Sequence, residues 1–175
     1  MVRRALGSWN ASHLGSGSSK PTNLQQLSLG LHRGAAAGNT ALVLYALENG
    51  QSPHTTLHGV TPLHVAAATG NSVILQLLLA NGAEVNATRV RSRQSVPGVE
   101  GSTPLHFAAA NGNTHAVYLL LENGALPAPL DREGNTPEAL ALAAGHEDIA
   151  FLLSQQPHSS RIAPWSSHDL GYVPG

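Results

Sequence analysis

Apolar and polar residues alternate along this chain in blocks. Leu63 to Ala68 is a short, mostly apolar block, opened by Thr61-Pro62 and closed by Gly70. A second block, Val73 to Ala80, is broken only by Gln76 and runs into Asn81-Gly82. The two blocks return as Leu105 to Ala110 and as Thr114 to Glu122, and again in divergent form from Glu138 and from Glu147 to Ser154. Thr is a good N-cap, Pro suits the first helical position, and Gly readily ends a helix. Each block pair therefore predicts a short helix, a tight turn and a second helix. The second helix is apolar around most of its girth, so it should be sandwiched between neighbours.

The spacing turns these blocks into a repeat. Gly38, Gly70, Gly112 and Gly145 are separated by 32, 42 and 33 residues. Asn-Gly recurs at Asn49, Asn81 and Asn123, and Gly-x-Thr at Gly59, Gly101 and Gly134, with matching intervals. Three independent markers thus share one period near 33, lengthened once by about nine residues. TPLHVAAATGN from Thr61, TPLHFAAANGN from Thr103, LLLANGAEVNA from Leu77 and LLLENGA from Leu119 resemble ankyrin repeats. With its weak first copy and long loop insertion, the chain is also similar to ankyrin segments of fungal proteins.

The resemblance implies an all-α solenoid of stacked helix-turn-helix pairs with projecting hairpin loops. It covers residues 29–156 as a four-repeat domain, with the insertion near 88–100. Residues 1–28 are expected to be a disordered basic leader and 157–175 a flexible tail. Leu63, Leu77, Leu78, Leu105, Leu119 and Leu120 are expected in the shared core. The first copy has Leu29-Gly30-Leu31-His32 where Thr-Pro-Leu-His belongs, and a helical Gly34 costs about 1 kcal/mol relative to Ala. The last replaces Leu-His with Glu138-Ala139, which suits a polar cap.

Composition narrows the function classes. Charged residues are 11% of the chain, against about 25% in an average soluble protein, and the formal net charge is −1. A bulk nucleic-acid binder would be strongly basic, so no nucleic acid is expected as partner. No apolar run is long enough for a membrane span. Cysteine is absent, which removes thiolate metal sites and thiol nucleophiles. The leader's apolar residues show no amphipathic period, which argues against mitochondrial targeting, and it lacks a secretory apolar core. A cytoplasmic or nuclear location is expected.

The chain has ten histidines, which invites a metal reading. His32, His64 and His106 instead share one repeat position. The resemblance implies that each ties a hairpin loop to a helix start through hydrogen bonds. His54 and His58 are four apart in a loop, without the helical geometry that makes that spacing useful, and no carboxylate is near in sequence. No nucleophile elbow or phosphate loop occurs. No metal or cofactor and no enzymatic activity are expected.

Binding is what remains. The resemblance implies a rigid, non-enzymatic scaffold that holds a partner protein with its concave groove and loop tips. The residues so placed are His54, Thr55 and Thr56 in the first loop, Arg89, Arg91 and Arg93 in the second, and Leu130, Asp131 and Arg132 in the third. Arg33, Thr69, Phe107 and Asn111 lie on the groove side, and Phe107 could equally be a partly buried core residue. The three arginines of the insertion suggest a partner with an acidic or phosphorylated surface, though they would also serve simply to keep a solvated loop soluble. Ser92 has Arg89 and Arg91 upstream, as a basophilic kinase site would. The alternative is a regulatory or targeting segment of a larger multidomain protein.

Overall fold

The computed structural model describes residues 24–91 and 99–156. Among them are eight helices and no extended strand, only an isolated bridge between Leu57 and Val60. The helices are α1 (Leu24–Ala37), α2 (Thr40–Glu48), α3 (Pro62–Thr69), α4 (Ser72–Ala80), α5 (Pro104–Ala110), α6 (Thr114–Glu122), α7 (Pro137–Ala143) and α8 (Glu147–Ser154). They form four antiparallel pairs stacked in chain order. The first helices α1, α3, α5 and α7 make one layer, and α2, α4, α6 and α8 make the other. The fold is the expected all-α solenoid. Helix α1 begins at Leu24, inside the segment assigned to the leader. Leu24-Gln25-Gln26-Leu27 are all good helix formers, which carries the helix back past the first repeat signal. The tail from residue 157 lies outside the described residues.

The local chemistry accounts for each boundary. Thr61, Thr103 and Thr136 are the N-caps of α3, α5 and α7, with Pro next. The second helices α2, α4 and α6 end on Asn, whose side chain turns back into the helix. Asn49 Nδ2 donates to Tyr45 O at 2.7 Å, Asn81 Nδ2 to Leu77 O at 2.8 Å and Asn123 Nδ2 to Leu119 O at 2.7 Å. These bonds satisfy carbonyls that the helix end would leave open.

The glycines after α3 and α5 have two duties. Gly70 and Gly112 have φ of 69° and 74°, in the left-handed region. They also leave room for the next repeat. A Cβ at Gly70 would lie 2.6 Å from Asn113 Oδ1, and one at Gly112 would lie 2.5 Å from His146 Cε1. Asn113 uses that space to donate to the carbonyls of Ala67 and Ala68, each at 2.8 Å. Gly34 is explained by the same principle of close approach. A Cβ there would meet Val43 Cγ2 at 2.6 Å, so its helical cost accompanies tight α1–α2 packing.

One continuous core runs through the stack. Leu63, Leu78, Leu105 and Leu120 are all but inaccessible, and Leu119 is buried. Leu77, expected with them, is only half-buried. The buried face of α4 is Ile74, Leu75 and Leu78. These residues follow an i, i+1, i+4 stripe, which leaves Leu77 at its margin. Alanines at the first-helix contacts (Ala35, Ala66, Ala67, Ala108, Ala109) let that layer approach more closely than the Leu- and Ile-rich second layer. The stack therefore curves toward the first-helix side, which becomes the concave face.

Two comparisons test this packing. Gly112→Ala is expected to lower the melting temperature well beyond Gly124→Ala. Both have positive φ, at a cost of about 1–2 kcal/mol, but only Gly112 is also crowded. Leu75→Ala should cost about 2–5 kcal/mol and Leu77→Ala distinctly less, both read by urea unfolding. Equal losses at the two leucines would contradict the α4 orientation.

Candidate partner-binding surface

The surface is built on a row of histidines at the base of the hairpins. His32 Nε2 bonds Val60 O at 3.0 Å, His64 Nε2 bonds Ser102 O at 3.1 Å, and His106 Nε2 bonds Asn135 O at 3.1 Å. A carbonyl can only accept, so Nε2 carries the proton. Nδ1 is then an acceptor. In His64 it takes Thr61 N–H at 3.2 Å and Thr61 Oγ1 at 2.8 Å, and in His106 it takes the same pair from Thr103, both at 3.0 Å. Both rings are buried. Burial holds the His64 pKa at about 4, aided by the charge of Arg89, against the bond to Ser102. Burial likewise lowers the pKa of His106. The His64 and His106 imidazoles are therefore neutral struts, and all three rings tie a hairpin to the helix before it.

The hairpins share a backbone pattern. Leu57 N–H donates to Val60 O at 2.9 Å, Arg89 N–H to Ser102 O at 2.8 Å and Asp131 N–H to Asn135 O at 3.1 Å. Leu57, Arg89 and Asp131 each stand eight residues after the Asn of the preceding Asn-Gly, so they occupy one repeat position. Neighbouring hairpins are joined by Val90 N–H to Gly59 O at 3.0 Å and Arg132 N–H to Glu100 O at 2.9 Å. Asn86 adds a side-chain clasp, donating to Gly124 O at 3.2 Å and accepting from Leu126 N at 2.9 Å.

This framework sorts the candidate residues. In the first hairpin His54 and Thr56 are exposed, and Thr55 is half-buried with its hydroxyl on Ser52 O at 3.1 Å. In the second, Arg91 is exposed, whereas Arg89 is buried at 7% exposure and does not form a loop tip. Its place in the hairpin base, beside His64, explains the difference. Arg93 and Ser92 lie outside the described residues. In the third, Leu130 is 65% exposed and Arg132 is exposed. Asp131 is not at the surface. Its Oδ1 accepts from Glu133 N at 2.9 Å and from Asn135 N at 2.8 Å. Burial pushes its carboxyl pKa up, but these bonds outweigh it and hold the pKa below the ordinary carboxylate value.

On the concave face, Arg33, Val65, Phe107 and Leu140 share one helical register, five residues before each repeat glycine. Arg33, Thr69 and Asn111 are exposed. Asn111 turns its amide onto its own helix, with Nδ2 on Phe107 O at 2.8 Å, and Thr69 Oγ1 lies 3.1 Å from Val65 O of its own helix and 3.3 Å from Ala35 O of α1. Phe107 is half-buried and packs edge-on against His64, with centroids 5.2 Å apart. It is thus both part of the packing and part of the groove floor.

Sequence reasoning missed Glu100. Its Oε1 lies 3.5 Å from Arg91 Nε, and its Oε2 contacts Arg132 Nη1. The signal was available: the Gly-x-Thr markers place Glu100 on the hairpin next to that of Arg132. Among the described residues, no three of His, Asp and Glu gather as a metal-binding group, and no helix is long and apolar enough to cross a membrane.

Stacked helix pairs with a ladder of hairpins along one edge define a helical repeat protein. A family profile for ankyrin repeats (many copies) matches residues 47–96, and one for ankyrin repeats (3 copies) matches residues 90–161. The two run without a gap over most of the stack, and the chain belongs to the ankyrin-repeat family. Repeats of this family are generally protein–protein interaction modules and typically non-catalytic. A search of curated proteins finds no match.

The histidine struts set a pH dependence. In the unfolded chain His64 regains its ordinary value of 6.5, above its folded value of about 4. Between these values the unfolded state binds the extra proton, so acid favours unfolding. Stability should fall from about pH 6.5 toward pH 4 with a slope of up to ~1.4 kcal/mol per pH unit from this residue, and His106 should add to it. Urea titrations at several pH values measure this. His64→Ala should be less stable at neutral pH, by about 1–3 kcal/mol or more for the buried partners left unmet, and should flatten the acid limb.

Proposed function

We propose that this chain is a non-enzymatic scaffold that grips a partner protein between its concave first-helix face and its hairpin edge. In this reading the insertion in the second hairpin selects the partner. The supporting observation is how the insertion joins the fold. Gly101 N–H donates to Arg89 O at 2.9 Å, and Arg89 N–H donates to Ser102 O. The hairpin base is thus closed as in the third hairpin, and the extra residues leave from a finished turn. Loops tolerate such length at small entropic cost. The exposed Arg91 and Arg132 give this edge donors suited to carboxylate or phosphate groups, so the partner's facing surface is acidic or phosphorylated. Phe107, with Val65 and Leu140 in the same register, supplies an apolar contact in the groove. The proposed setting is the cytoplasm or nucleus, which fluorescent tagging in the native cell checks.

Deleting residues 90–98 is the direct test. Arg89 would then join Val99, restoring the spacing of Asp131 to Asn135 in the third hairpin. The deleted protein should melt within a few degrees of the parent. Affinity capture from native extract should retrieve a saturable partner with the parent and at least about tenfold less of it with the deletion, a difference of 1.4 kcal/mol. Equal capture by both would move recognition to the groove, where Phe107→Ala becomes the informative variant.

A further inference from the structure

Arg91 and Arg132 come from different hairpins and meet at one carboxylate. Glu100 contacts both guanidinium groups, and its backbone carbonyl accepts from Arg132 N–H at 2.9 Å. The backbone bond holds the two hairpins in the register that makes the meeting possible. The guanidinium side chains are 85% and 71% exposed, whereas that of Glu100 is 23% exposed. A guanidinium has five N–H donors in a planar fork, so most donors of both groups remain open to solvent.

In direct contacts the charges at this point are unequal. Two cations share one carboxylate, while a phosphomonoester carries about −1.5 to −2 at neutral pH and three acceptor oxygens. Asp131, next to Arg132, keeps its negative charge, but its oxygens are taken by the Glu133 and Asn135 amides and by Asn135 Nδ2 at 3.2 Å, so it pairs with neither guanidinium. Glu133 is exposed on the same turn and tempers the local field. We propose that Arg91 and Arg132 form a binding site for a phosphorylated side chain of a protein partner, with Glu100 holding the place of the phosphate until it arrives. This deepens the scaffold reading and rests on it for the identity of the ligand as a protein. The phosphate displaces the Glu100 carboxylate and is bridged by both forks, a geometry in which arginine–phosphate pairs are strong.

The test is a titration of the full chain with inorganic phosphate, sodium acetate and sodium chloride at matched ionic strength. It is followed through the Nε–H resonances of Arg91 and Arg132. Phosphate should give saturable shifts at both arginines, acetate weaker ones and chloride none. A Gly-Gly-phosphoserine-Gly-Gly peptide should act like phosphate, and its unphosphorylated form should not. Glu100→Gln should tighten phosphate binding roughly threefold to tenfold by removing a like charge. Arg91→Ala with Arg132→Ala should abolish the effect of phosphate on the remaining amides of both hairpins, with an unchanged melting temperature. Phosphate shifts no larger than those with chloride, or a Glu100→Gln variant that binds no better than the parent, would overturn the proposal. The scaffold reading is judged separately: partner capture that depends on residues 90–98 would leave it standing even if phosphate fails.

Discussion

The imidazole that reaches from a helix start to the next hairpin carbonyl is the constraint on which this structure depends. Each of His32, His64 and His106 uses Nε2 on a loop one repeat ahead. Helices stacked through alanine and leucine alone could slide along one another, since apolar contacts are not directional. A buried hydrogen bond cannot be misplaced cheaply, because an unmet donor costs about 1–3 kcal/mol. The struts therefore set the rise from one repeat to the next, and the hairpin ladder follows from that rise. The last repeat has Ala139 at this position, and the series of ties stops there.

Legibility in the sequence followed the backbone. Thr-Pro starts, glycine stops and Asn-Gly ends could be read because each residue type is chosen by local geometry. Orientation within a helix was harder. Leu75 and Leu77 are chemically identical and sit in a segment that is apolar on nearly all sides, so composition cannot say which one faces inward. Only packing against α2, α3 and α6 decides it. Arg89 and Asp131 failed for a related reason. Charged residues in loops are ordinarily at the surface, and nothing local in the sequence reveals that this position is the covered base of a turn. Counting from the preceding Asn-Gly would have aligned Arg89 with Leu57 and Asp131, but the insertion obscured the comparison.

That shared position shows how little the hairpin asks of its side chain. Leu57, Arg89 and Asp131 differ in charge and size, yet each makes the same main-chain bond across the turn. The side chains then serve different ends. Asp131 gathers the amides of its own turn, and Arg89 adds positive charge beside His64 and helps keep that ring neutral. The candidate surface was accordingly legible only in outline. The groove register could be counted from the glycines, whereas the meeting of Arg91, Glu100 and Arg132 required the ladder between two hairpins.

The closed base of the second hairpin separates folding from whatever the insertion displays. Cooperativity in the stack passes through helices and struts, and the strut and base bonds of this hairpin are made by Arg89, Gly101 and Ser102, at the two ends of the insertion. Its length and composition can drift, or be exchanged for another peptide, while the remaining chain keeps its register. This makes the position a socket: a lineage or a designer can exchange what is displayed there without first having to make the molecule more stable.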